Sequence, residues 1–144
     1  MLLETQIIEC KAEIEVGDLP TIAGDIELLK RLAQNLLSHA LKYHRPGEVP
    51  RIRIYGTTAD RGVNFVVEDK GIGIDPRYAQ KIFDVFQRLH RDESVYQGTG
   101  IGLALAKRIA ESHGGSIALD TAYRHGARFV VTFPEPVAPL SRIT

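Results

Sequence analysis

The chain has 144 residues, 44% of them hydrophobic, which suits one domain with a genuine core. Its 18 basic and 18 acidic side chains cancel, which argues against a general nucleic-acid or polyanion binder while leaving room for a local basic pocket. With one cysteine there is no intrachain disulfide framework, and no apolar run approaches the ~18 residues of a membrane span, so a soluble cytoplasmic domain without direct membrane contact is the expectation.

In chain order, Ile8, Cys10, Ala12, Ile14 and Val16 alternate with charged residues, a period of two that predicts a half-buried strand. Gly17 to Pro20 turns the chain, and Asp25 offers an N-cap for a helix to about Tyr43, with Leu29, Leu32, Leu36, Leu37 and Ala40 at helical spacing. Arg45-Pro46-Gly47 ends that helix. Strands are predicted over Arg51 to Tyr55 and Val63 to Glu68, joined by a turn at Asp60 to Gly62. Asp75-Pro76 reads as a cap with proline in the first helical position, opening a short helix to about Phe83. A polar loop follows from about Gln87 to Gly98. The next helix runs from about Gly100 to His113 and is closed by Gly114-Gly115. Two last strands cover Ser116 to Asp120 and Arg128 to Phe133, and a proline-rich tail occupies 135–144. Strands close enough for hairpins predict an α/β two-layer sandwich, a mixed and largely antiparallel sheet with helices on one face.

Four segments carry more polar or glycine character than a plain scaffold requires. Asn35, His39 and Lys42 fall within roughly 60° of arc on one helix, beside its apolar stripe, which by itself also suits a solvated face. The strand ending in Asp69 runs into Gly71-Ile72-Gly73-Ile74, a backbone that a ligand can approach next to a carboxylate acceptor, or simply a tight turn. Phe83 and Phe86 stand three apart ahead of the polar loop, as core anchors that also suit a lid hinge. Gly98-Thr99-Gly100-Ile101-Gly102-Leu103 leads straight into a helix, presenting backbone N–H groups at the positive end of its dipole. Glycine at 102 costs about 1 kcal/mol relative to alanine inside a helix, so a plain joint would not select it.

These four segments, in this order and spacing, resemble the N, G1, F and G2 boxes of the histidine-kinase ATP-binding catalytic domain, of the GHKL superfamily and its Bergerat fold. The resemblance spans about Leu19 to Pro134, and the phrases Phe86-Gln-Arg-Leu-His90 and Gln97-Gly-Thr-Gly-Ile-Gly-Leu-Ala104 are similar to phytochrome-type and other bacterial sensor kinases. It implies that residues 1–134 form an ATP-binding domain. Asp69 would accept the adenine amino group, in a pocket shaped with Gly71, Gly73 and Ile74. Asn35 and His39 would face the phosphates and Mg²⁺, and Lys42 and Tyr43 would flank phosphates and sugar. Phe83 and Phe86 would anchor the lid, Arg88 and His90 at its start would reach the polyphosphate, and Gly98, Thr99, Gly100, Ile101, Gly102 and Leu103 would wrap it with backbone donors.

ATP-hydrolysing members of the superfamily place a glutamate where Asn35 stands, so the resemblance implies slow hydrolysis and transfer of the γ-phosphoryl group to a protein histidine instead. None of His39, His44, His90, His113 or His125 has the acidic residue and proline that follow an acceptor histidine. The acceptor would therefore sit on a separate dimerisation domain, with a response regulator downstream and this domain monomeric by itself. At His39 the family usually has asparagine, a magnesium ligand, whereas imidazole suits softer metals. Three outcomes stay open there: a tolerated change, a nucleotide-binding regulatory module with weak or no phosphotransfer, or a shift toward Mn²⁺. A serine kinase of the anti-sigma-factor type shares the fold, and the phytochrome-like wording argues against it.

Overall fold

The computed structural model describes residues 2–84 and 102–135. It begins with helix α1, Leu2–Cys10, which corrects the long N-terminal strand that the alternation from Ile8 predicts. Ile7 and Cys10, one helical turn apart, pack toward the core, while Ile8 is 76% exposed. Lys11 takes a left-handed φ of 55°, its N–H reaching Ile8 O at 3.3 Å and that of Ala12 reaching Ile7 O at 3.1 Å. This paired closure of a helix end is usually built on glycine, so a lysine in that place hides the boundary. The strand that does form, β1, is confined to Glu13–Val16.

Helix α2, Ile26–Lys42, starts where expected: Asp25 accepts the N–H groups of Glu27 and Leu28. Strands β2, Arg51–Ala59, and β3, Gly62–Asp69, form the expected hairpin. The short helix after Asp75 is instead two 3₁₀ turns, Pro76–Tyr78 and Lys81–Phe83, in which Asp75 caps Arg77 N at 2.9 Å and Ile82 and Phe83 are buried. So short a segment gains too few hydrogen bonds to nucleate an α-helix, and packing of Ile82 and Phe83 sets its shape. Helix α3, Gly102–Ser112, ends in the same paired closure as α1, here on Gly114 at φ 76°. Strands β4, Ser116–Leu119, and β5, Arg128–Pro134, complete the sheet.

The sheet order is β1-β2-β3-β5-β4, with β1 and β2 parallel and every other pair antiparallel. Along β5 the buried residues alternate as Phe129, Val131 and Phe133. They join Ile52, Val67 and Ile117 beneath Leu32, Leu36 and Ala40 of α2 and Ala106, Ile109 and Ala110 of α3. The α/β two-layer sandwich follows from that alternation: one sheet face carries the helices. The other face carries Glu68, 5% exposed, which accepts Tyr55 OH at 2.5 Å and Arg128 Nε at 2.9 Å. One residue further along, by the period of two, Asp69 turns to the helix side.

Candidate functional site

Asp69 ends β3 at the helix side of the sheet and is 4% exposed. Its Oδ1 accepts Gly71 N at 2.8 Å and Ala127 N at 3.2 Å, and its own N–H donates to Ala127 O at 2.9 Å. Tyr123 OH donates to its main-chain oxygen at 3.0 Å. The second carboxylate oxygen takes no hydrogen bond among the described residues, so it is the acceptor left for a ligand. Burial pushes the Asp69 carboxyl up to about 6; the Gly71 and Ala127 amides hold it back, and the charge of Glu68 adds to the rise.

The glycines after Asp69 answer first to the protein's own backbone. A Cβ at Gly71 would lie 2.3 Å from Tyr43 O and 2.8 Å from Asp69 Oδ1. Gly73 has a left-handed φ of 76°, and a Cβ at Gly126 would meet Asp69 O at 2.0 Å. These close approaches join the turn to the end of α2: Ile72 N donates to Tyr43 O at 3.0 Å, and Arg45 Nε to Gly71 O at 3.0 Å. Segments far apart in sequence thereby meet around one carboxylate. Beside the turn opens a hollow of about 490 Å³, lined by Gly73, Ile74, Asp75, Tyr123, Arg124 and Gly126 among others, which Asn35, His39 and Lys42 do not line.

On α2, Asn35, His39 and Lys42 are half-buried beside the fully buried Leu36 and Ala40. Asn35 Nδ2 is buried without a hydrogen-bond partner among the described residues, which is the condition of a group awaiting a polar ligand. The His39 ring packs against Tyr43 at 4.5 Å between centroids and edge-on to Phe129 at 5.2 Å. It is therefore an aromatic neighbour of the core as well as a candidate ligand. Among the described residues no cluster of three or more His, Cys, Asp or Glu is arranged for a metal ion. A divalent cation held here would take most of its ligands from a bound polyphosphate, and the Asn35 side-chain oxygen is a hard donor suited to it. Asn35 Nδ2, a buried donor, and the second oxygen of Asp69, an acceptor, are two polar groups of the kind a nucleotide could take up.

Gly102 opens α3 and a Cβ there would meet nothing within 4 Å among the described residues, whose packing therefore does not demand glycine at this helix start. Leu103 packs against the core. Phe86, Arg88, His90, Gly98, Thr99, Gly100 and Ile101 lie outside the described residues. Two contributors escape the motif reading: Tyr123, which no spacing singles out, and Arg45, whose signal is only the Pro-Gly that follows it.

Residues 24–137 match the family described as histidine kinase-, DNA gyrase B- and HSP90-like ATPase. Phytochrome-like protein Cph1 of Synechocystis is 42% identical over 133 residues, covering 92% of this chain and 17% of the relative, so the chain spans a small part of that protein. Among solved structures, mycobacterial sensor histidine kinase MprB superposes with a TM-score of 0.75 at 27% identity, over 92% of this chain and 93% of that one. Full-length ShkA in complex with AMPPNP has a TM-score of 0.74 at 28% identity, over 92% of this chain and 27% of its own. The chain belongs to the histidine kinase-, DNA gyrase B- and HSP90-like ATPase family, on the branch of the sensor histidine kinases.

Proposed function

We propose that this chain is the ATP-binding catalytic domain of a two-component sensor kinase, presenting ATP to a histidine on a separate dimerisation domain. The observation that carries the reading is Asp69: one oxygen is committed to Gly71 and Ala127, the other is left over, and the turn is tied to the helix bearing Asn35. In this reading the free oxygen takes the adenine amino group, and Gly71, Gly73 and Ile74 shape the base pocket. Asn35, His39, Lys42 and Tyr43 border the sugar and phosphates, and Asn35 would help to hold Mg²⁺, which would neutralise phosphate charge. The solved ShkA complex with AMPPNP, a protein 28% identical to this chain, supports a nucleotide in such a site.

Mg-ATP supplies the γ-phosphoryl group, and this chain's residues orient it. Asn35 is an amide and not a carboxylate, so the chain offers no general base there and water is a poor acceptor. A response regulator would receive the phosphoryl group downstream, residues 1–134 would form the working unit, and the isolated domain would be a cytoplasmic monomer. Label transfer from γ-labelled ATP to an added acceptor domain, with Mg²⁺, tests this. Tight nucleotide binding without transfer would favour the second reading, a nucleotide-binding regulatory module. What supports that alternative is the His39 ring, packed on Tyr43 and Phe129 where the resemblance puts an oxygen ligand.

A further inference from the structure

The peptide unit between Gly71 and Ile72 is held at both polar ends by the segment that follows α2. Its N–H, on Ile72, donates to Tyr43 O at 3.0 Å, and its C=O, on Gly71, accepts Arg45 Nε at 3.0 Å. Arg45 is itself fixed in place. It opens the turn Arg45-Pro46-Gly47-Glu48, in which Glu48 N donates to Arg45 O at 3.0 Å and Gly47 has a φ of 80°, the type II arrangement with proline and then glycine at the centre. Proline pre-sets the turn and glycine supplies the positive φ, so the Arg45 side chain starts from a rigid backbone. The adjoining Gly71 N–H is the one that donates to Asp69 Oδ1 at 2.8 Å.

We propose that Arg45 is a positioning residue for the nucleotide base: its Nε–H clamps the Gly71 carbonyl so that the Gly71 amide keeps the Asp69 carboxylate aimed at the ligand. The role rests on the nucleotide-binding reading above and adds a residue to it that lies outside the four sequence boxes. A hydrogen bond from a guanidinium to a carbonyl is charge-assisted and directional, and it acts on a peptide that Tyr43 already holds from the opposite side. With both ends held, the plane of that peptide is set; the preceding Gly71 N–H joins it through the φ and ψ of Gly71 alone and is itself bonded to Asp69 Oδ1. Without Arg45 the carbonyl is free to rotate toward water, and the Asp69 turn loses one of its two ties to α2.

Two substitutions separate the bond from the charge. In glutamine the amide nitrogen stands the same number of bonds from Cα as arginine Nε, so Arg45→Gln keeps a donor without the charge; Arg45→Met keeps the length and loses the donor. ADP affinity is measured by calorimetry and Ile72 N–H exchange by NMR. Arg45→Met is expected to weaken ADP binding about tenfold and to speed Ile72 exchange by a similar factor, the scale of one hydrogen bond lost. Arg45→Gln is expected to stay within about threefold of the parent in both. Parent-like ADP affinity in Arg45→Met overturns the proposal. So does an Arg45→Gln protein as weak as Arg45→Met, because charge and not the bond would then matter. An Arg45→Met protein that does not fold also counts against it, making Arg45 a general stability element. A parent that binds no ADP sinks the nucleotide reading and this role with it, whereas parent binding with unchanged variants sinks only the role.

Discussion

His113 Nε2 accepts the amide hydrogen of Asp25 at 3.0 Å, joining the C-terminal end of α3 to the N-cap of α2 across 88 residues of sequence. Its other ring nitrogen lies 2.8 Å from Ile109 O, so Nδ1 carries the proton and Nε2 is the acceptor. Gly24 leaves room for the ring: a Cβ there would fall 2.2 Å from His113 Cδ2. His113→Ala should therefore cost about 1–2 kcal/mol in urea unfolding, since it removes an acceptor and opens a gap, and Asp25 N can recover water. Gly24→Ala should cost less in the His113→Ala background than in the parent. A double-mutant cycle that closes additively would show that the two positions do not press on each other.

Asp69 should set opposed demands on stability and binding. Its carboxyl is raised from 3.8 to about 6, so the folded chain holds this proton more tightly than the unfolded chain does. The cost of burying the charge is fully present above about pH 6 and is relieved as pH falls toward 4; two pH units correspond to about 3 kcal/mol. Asp69→Asn removes that charge while its side-chain oxygen can still accept Gly71 and Ala127. The variant should be at least as stable as the parent at pH 8, yet bind ATP more weakly by about 1–3 kcal/mol. In the parent, nucleotide affinity should decline as pH drops through about 6, where the acceptor is protonated. Equal affinities of parent and Asp69→Asn at pH 8 would remove Asp69 from the base pocket.

Glycines that look alike in the sequence should respond differently to alanine. At Gly71 the new methyl would meet backbone, Tyr43 O at 2.3 Å, and should destabilise the fold by about 1–3 kcal/mol. At Gly102 it would meet nothing within 4 Å among the described residues and sits at a helix start, so the ligand-free protein should gain up to about 1 kcal/mol. If the α3 N-terminus receives phosphates, Gly102→Ala should weaken ATP binding despite that gain. Melting curves with and without ATP separate the two effects, and a variant both more stable and equally tight for ATP would leave Gly102 without a ligand role.

Helix ends show why some of the fold was legible and some was not. Gly114 announces the end of α3, because a left-handed residue in that closure is commonly glycine, whereas Lys11 closes α1 with the same hydrogen bonds and no such mark. The alternation from Ile8 to Val16 therefore read as one strand, although its first part is helical. At the candidate site, Asp69 and its glycines stood out only in register with the three other segments, because a strand running into Gly-x-Gly by itself also suits a tight turn. Arg45 and Tyr123 did not stand out, since each acts through a single bond to a main-chain oxygen, which any donor of the right reach can make. The reason for Gly71 also changed: it is the Tyr43 carbonyl, and not a ligand alone, that excludes a side chain there.

His39→Asn weighs packing against metal binding. The imidazole contributes aromatic contact to Tyr43 and Phe129, so asparagine should cost about 1–2 kcal/mol of folding stability, seen in thermal melts without nucleotide. The same change supplies a hard oxygen where imidazole offered nitrogen, which favours Mg²⁺ over softer cations. The variant should thus reach half-maximal phosphotransfer at a lower Mg²⁺ concentration than the parent, while any advantage of Mn²⁺ over Mg²⁺ in the parent shrinks. Titrating each metal at fixed ATP measures both. A Mg²⁺ curve that does not move would make His39 a packing residue alone, and the hard donor beside the phosphates would then have to be Asn35.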